Sequence, residues 1–338
     1  MATATKNGTA PAEDLPEFDP SFASDVDQST IEESQDRGPS FPIIQWHYGD
    51  PKMAKVGGMD HQGGWFFPVR SDNSNSNIDE SEDQKAKKEA IGAAMEAAGW
   101  TATTWIHDSG GSTEGYWKRE IAISTIALRK CWEFYDNGKR NVFPWNEHEK
   151  AKALGRPSSR LHVLCLVKGL EEVGPLTLTL KGSGAMAFEG TGKVAGALQA
   201  FGRTILKAAN DASAKAGSKN RWAARCFWLP VGADRTPDGK PKFTAVGTGN
   251  DTSNIVVPIA LGLPESSEGV ELRRFYVGKP LQDATQTIYT DNEEWRTAWE
   301  TMDNNNDTAP AAHTNGTGPK TAAAEVKANE DALKDLGL

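Results

Sequence analysis

Apolar residues in this chain fall into short runs with the two-residue spacing of strands, interrupted by a few stretches with helical spacing. Phe41 to Tyr48 and Gly64 to Val69 are aromatic and β-branched runs bounded by Gly, Pro and Asp, and they predict the first strands. A Ser, Asn and Asp stretch between Ser71 and Glu82 predicts a surface loop. Gln84 to Ala98 is Ala-rich and meets Gly99, so a helix is predicted over 84–98. Thr101 to His107 and Gly115 to Leu128 predict strands on either side of a hairpin-type turn, Asp108-Ser109-Gly110-Gly111-Ser112. A second turn is predicted at Asp136-Asn137-Gly138. Leu161 to Val167 is nearly unbroken apolar sequence and predicts a central strand. Leu176 to Leu180 alternates Leu with Thr, which predicts one buried face and one that is wet or touches a ligand. Helical spacing returns over 185–216, with Leu198, Phe201, Ile205 and Leu206 on one stripe. Strands are predicted again at Ala223 to Leu229 and Lys242 to Val246, and an amphipathic helix over 281–302.

These elements define an α+β chain with one β-rich globular body over 41–302. The order strand, strand, helix, strand, strand fits an OB-like Greek-key barrel with added helices, and fits other α+β folds equally well. Residues 1–40 are polar, acidic and Pro-interrupted, and predict a disordered arm. Residues 303–338 predict a flexible linker and an acidic tail, whose last stretch spaces Val326, Leu333 and Leu336 as a short helix for a protein partner would. The three cysteines, Cys131, Cys165 and Cys226, are far apart in apolar runs and read as reduced core residues of a cytoplasmic protein. Neither a signal peptide nor a membrane span is expected, so the Asn-x-Thr sequons carry no meaning.

Charge changes this picture, because it is sorted along the chain. The whole protein carries −9, yet residues 115–242 hold 22 Lys and Arg against 11 Asp and Glu, a net of +11. The arm and the tail contribute −7 and −3. A basic middle between acidic ends suits contact with a polyanion. It suits a merely solvated surface as well.

Tryptophan sharpens the first alternative. The chain has 11, and Trp46, Trp65, Trp100, Trp105, Trp117, Trp132 and Trp145 fall within one hundred residues. Several are flanked by cations: Trp117 by Lys118 and Arg119, Trp132 by Arg129 and Lys130, Trp222 by Arg221 and Arg225. Indole faces stack on unpaired bases at roughly 1–3 kcal/mol each, while cations hold the backbone. The competing reading is that these indoles fill a β core.

Other chemistry is less supported. Gly182-Ser183-Gly184-Ala185-Met186-Ala187 has the glycine spacing of a dinucleotide-binding turn, but no acid follows at a strand end about 20 residues later. Gly190-Thr191-Gly192-Lys193-Val194 fails the P-loop pattern at both ends, although Lys181 and Lys193 could approach phosphates by charge. The six His show no metal-ligand spacing, there is no C-x-x-C, and no G-x-S-x-G. His107 and Asp108 form the best acid/base pair. No metal, cofactor or catalytic residue is predicted.

In layout the chain resembles single-stranded DNA-binding proteins of bacteria and phages: a body with interleaved Trp and Lys/Arg, then a linker, then an acidic tail. The resemblance covers organisation from about Gly115 onwards and no diagnostic motif. The tail departs from such proteins by ending Asp335-Leu336-Gly337-Leu338. It implies a non-enzymatic protein that binds single-stranded DNA, or RNA, in replication or recombination of a bacterium, phage or mobile element, with a protein partner for the tail and self-association as further expectations. Its contacts would be Trp117, Trp132 and Trp222 for bases and Lys118, Arg119, Arg129, Lys130, Lys181, Arg221 and Arg225 for phosphates. The alternatives are a structural or assembly protein without nucleic-acid contact, and a nucleotide-binding enzyme.

Overall fold

The computed structural model describes residues 41–47, 63–71, 82–106, 112–136, 139–190, 195–246 and 253–298. The arm 1–40, the tail 303–338, the pair His107 and Asp108, and Lys193 lie outside the described residues. One ten-stranded sheet dominates. Its order is β12 (Pro258–Ala260), β9 (Leu229–Ala233), β5 (Glu120–Asp136), β7 (Ser158–Val167), β8 (Leu176–Lys181), β1 (Ile43–His47), β2 (Gly64–Ser71), β4 (Ser112–Lys118) and β3 (Thr101–Ile106), with β6 (Lys139–Pro144) also on β5. All of these pairs are antiparallel except β1 with β8. A separate hairpin joins β10 (Thr244–Val246) and β11 (Ser253–Ile255). Among the described residues this is an open sheet, and β12 and β3 do not close it into a barrel.

β5 is the longest strand, and it holds three partners. Ile123 pairs with both Val167 of β7 and Leu229 of β9, so those two strands lie on opposite edges of β5. β6 takes the far end of the β9 edge, from Cys131 to Asp136. The sequence predicts one strand over Gly115 to Leu128; the structure breaks it at Arg119, where the chain leaves the β2–β4–β3 half of the sheet for the β5–β7–β9 half.

The apolar pattern sets the layers. Ile44, Trp65, Phe67, Leu161, Val163, Leu178 and Leu180 form the larger core cluster with residues of α1 (Glu82–Ala97), α3 (Gly182–Glu189) and α4 (Ala197–Phe201). α4 runs through a π turn, Gly202–Leu206, into α5 (Lys207–Lys215). A second cluster joins Ile126, Leu164 and Leu166 to Trp295, Leu281 and Ile288, which belong to α6 (Lys279–Asp291) and α7 (Glu293–Thr297). The Thr positions of β8 are therefore not wet: Thr177 and Thr179 are buried, because Thr177 lies in register with Leu164 of this second cluster. The short α2 (His148–Leu154) follows β6.

Local sequence explains where the helices stop. At the end of α1, Gly99 takes φ +77°, and the Gly99 and Trp100 N–H groups donate to the Glu96 and Met95 carbonyls at 2.9 Å each, a Schellman cap. The helical pattern over 185–216 is split because Gly190 and Gly196 meet backbone to backbone; a Cβ on Gly196 would lie 2.2 Å from the Gly190 nitrogen. Ala223 to Leu229, predicted as a strand, contains a 3-10 turn at Ala224–Cys226, and β9 begins only at Leu229.

Two predictions follow from this packing. Gly115 faces β2 so closely that an added Cβ would sit 2.2 Å from the Phe67 carbonyl oxygen, so Gly115→Ala should lower stability by roughly 1–3 kcal/mol in urea unfolding. All three cysteines are buried and unbridged, and burial pushes the Cys165 and Cys226 thiols up, so they stay protonated. Ellman's reagent at pH 8 should therefore find no fast-reacting thiol in the native protein and three after unfolding in guanidinium.

Candidate nucleic-acid interface

Successive residues of a strand point to opposite faces of a sheet. On β5 this separates Arg129 from Lys130. Arg129 packs its guanidinium 4.1 Å from the centroid of the Trp295 ring and donates to the Trp295 carbonyl at 3.0 Å. Lys130 instead pairs with Glu189 of α3 at 2.9 Å and sits 4.7 Å from the centroid of the Trp145 ring.

Lys130 belongs to an aromatic ladder at the end of the β5–β6 hairpin. Trp132, two residues on and on the same face, is buried. Trp145, just past β6, lies parallel to it, with centroids 4.5 Å apart and planes 8° apart. The Trp132 Nε1–H donates to the Trp145 carbonyl at 2.9 Å, and the His148 ring leans on Trp132 at 4.2 Å. Trp145 is 42% exposed, and it is the exposed tryptophan among the described residues. An indole held in a fixed plane at the surface, beside an ammonium group, has the two parts that base stacking requires.

The other expected contacts lie elsewhere. Trp117 on β4 is half-buried, with its indole against Gly64, where a Cβ would approach Nε1 to 2.4 Å. Lys118 donates to the Ala98 carbonyl at 2.6 Å, and Arg119 is the half-buried residue between β4 and β5. Lys181, at the end of β8, lies in register with Arg160, whose guanidinium is bonded to the buried Glu133 carboxylate.

Arg221, Trp222 and Arg225 do come together. They line one side of an open pocket of about 240 Å³ whose opposite side is α6. The Trp222 backbone N–H donates to Asn210 at 2.9 Å and its Nε1–H to Ser213 at 2.7 Å, which folds the segment back on α5. Its ring meets Phe227 and Tyr276 edge-on, so Trp222 acts as a wall and not as a free platform. Arg225 bonds to Gln286 and lies 4.9 Å from the Tyr289 centroid. The cationic midsection thus presents several separate groups, and many of its charges meet a carboxylate or carbonyl of the same chain.

No protein-family model, no curated protein and no solved structure matches this chain. What it does has to come from its own residues. Gly182 to Ala187 form the first turns of α3 directly after β8, with no Gly-rich loop between strand and helix, and the parallel neighbour of β8 is β1, which precedes it in the chain. A dinucleotide turn needs a parallel strand after its helix. Among the described residues no group of three His, Cys, Asp or Glu is placed to hold a metal ion. No helix among them is long and apolar enough to cross a membrane.

Sequence reasoning left Trp145 out of the contact set because no cation adjoins it in sequence. The signal that would have found it is Pro144-Trp145 at the close of a hairpin that begins at Lys130-Cys131-Trp132, which brings Lys130 to it across the turn. Within the ladder, Trp132→Ala should cost about 3–5 kcal/mol in denaturant unfolding, as a buried indole lost from a core. Trp145→Ala should cost only about 0.5–1.5 kcal/mol, the worth of the stacking itself.

Proposed function

We propose that this protein binds single-stranded nucleic acid without acting as an enzyme, using Trp145 as a stacking platform and Lys130 as its adjacent cation. The observation that carries this reading is the exposure of Trp145 while its plane is fixed by Trp132. Beyond its stack on Trp132, the Trp145 indole still exposes apolar area that water disfavours, and a base covers such area without sequence preference. Arg221 and Arg225, on the pocket beside α6, supply backbone contacts at a second place. Single-stranded DNA is the expected partner, in replication or recombination, and a closed OB-like barrel is not needed for it: stacking requires a platform, which the hairpin end provides. The acidic arm and tail would keep the protein off weaker anionic competitors and leave the tail for a protein partner.

A second reading has its own support. Lys130 with Glu189, Arg160 with Glu133, Lys207 with Asp211 and Lys242 with Asp234 are ion pairs within the chain, the last two exposed at the surface, as a structural or assembly protein without nucleic-acid contact would have.

Fluorescence titration with oligo-dT separates the two. We expect quenching at low salt, an affinity loss of about 1–3 kcal/mol in Trp145→Ala, and a smaller salt slope, by about 0.7, in Lys130→Ala. Absence of quenching at low salt, or an unchanged affinity in Trp145→Ala, overturns the proposal in favour of the structural role. Oligo-rU in the same titration ranks RNA against DNA.

A further inference from the structure

We infer that the pocket between the 221–226 segment and α6 is a phosphate-binding site. Its lining is rich in hydrogen-bond donors. Arg221 is exposed at its rim and Arg225 lies within it. Two glutamines of α6 complete it, and the acceptor ends of both are already taken: Gln286 Oε1 accepts from Arg225, and Gln282 Oε1 accepts from the Tyr276 hydroxyl at 2.8 Å. That arrangement leaves the Gln282 amide NH₂ as the group available to a ligand. Cys226, also in the wall, is a neutral thiol and offers no competing charge.

One carboxylate, Asp283, lines the pocket, and Lys279 neutralises it by an ion pair one helical turn back. The chain leading into Arg221 is basic as well. Lys215 and Lys219 are exposed on the segment leading into Arg221, and no ion pair holds either among the described residues. Two guanidinium groups and a turned amide make a site for a tetrahedral oxyanion, since planar guanidinium forks match phosphate oxygens. The volume of about 240 Å³ has room for a phosphate group, and the pocket is open enough for whatever carries that phosphate to extend into solvent.

This inference deepens the assignment of Arg221 and Arg225 as backbone contacts, and it does not depend on Trp145. Inorganic phosphate, deoxythymidine monophosphate and oligo-dT are titrated calorimetrically into the full chain, with Arg221→Glu, Gln282→Leu, Asp283→Asn and, as a charge control outside the pocket lining, Asp211→Asn. We expect the wild-type chain to bind inorganic phosphate and the mononucleotide, Arg221→Glu to weaken both at least about tenfold, and Gln282→Leu to weaken both by a smaller factor. Asp283→Asn should tighten both, and Asp211→Asn, which touches only Lys207 on α5, should change neither. If the site serves the backbone of a bound strand, free phosphate competes with oligo-dT and Arg221→Glu weakens oligo-dT as well. If it serves a free phosphate or nucleotide, oligo-dT affinity is the same in Arg221→Glu and wild type. No phosphate binding to a chain that unfolds at the wild-type temperature, or equal effects of Asp283→Asn and Asp211→Asn, overturns the site. Loss of oligo-dT binding in Trp145→Ala with phosphate binding intact leaves the site standing and tests only the platform.

Discussion

The alternation of side chains along β5 is the constraint on which the arrangement of this molecule depends. Seventeen residues of one strand serve β7 along one edge and β9 and β6 along the other, so each residue's place in the strand decides its layer. A register shift between Thr125 and Ala127 resets the alternation midway. Beyond it Lys130 and Trp132 share the face that carries α3, while Arg129 and Cys131 share the face that carries α7. Cations adjacent in sequence are thereby sent to opposite sides of a sheet, and no bound strand could meet both on one surface.

The same constraint explains why the indoles divide as they do. Trp46 and Trp65 meet edge to face at 4.8 Å in the larger core, and their N–H groups donate to the Val256 and Val231 carbonyls at 2.9 and 3.2 Å. These bonds tie the first hairpin to the far side of the sheet and satisfy the polar atom that an interior Trp brings with it. Trp295 closes the second core, under the Arg129 guanidinium. Trp145 differs because it follows the last residue of β6, beyond the ladder of strand pairing, and only one of its faces is covered by protein aromatics.

Much of the fold is legible in the sequence where a pattern is local. The unbroken apolar run of β7 marks a strand buried on both faces, Gly99 marks the stop of α1, and the helical spacing after Gly182 marks α3 to α5. What the sequence hides is pairing at long range. Nothing local distinguishes Gly115 to Leu128 as two strands serving different halves of the sheet, or shows that Leu176 to Leu180 buries its Thr side too, since both facts depend on partners distant in the chain. The candidate site is legible to the same degree: Arg221, Trp222 and Arg225 meet because one short turn carries them all, whereas Lys130 meets Trp145 only through the β5–β6 hairpin. Alternating faces then separate Arg129 from its sequence neighbour, which composition cannot reveal.

The single parallel contact in the sheet, β1 against β8, joins Ile43 to Thr177. Synthesis runs from the amino end, so the first hairpin leaves the ribosome with an unpaired flank long before its mate exists. Strands joined over such a span carry a large loop-closure cost and assemble late. Until then that flank is an open row of backbone donors and acceptors, the kind of edge along which neighbouring copies zip together.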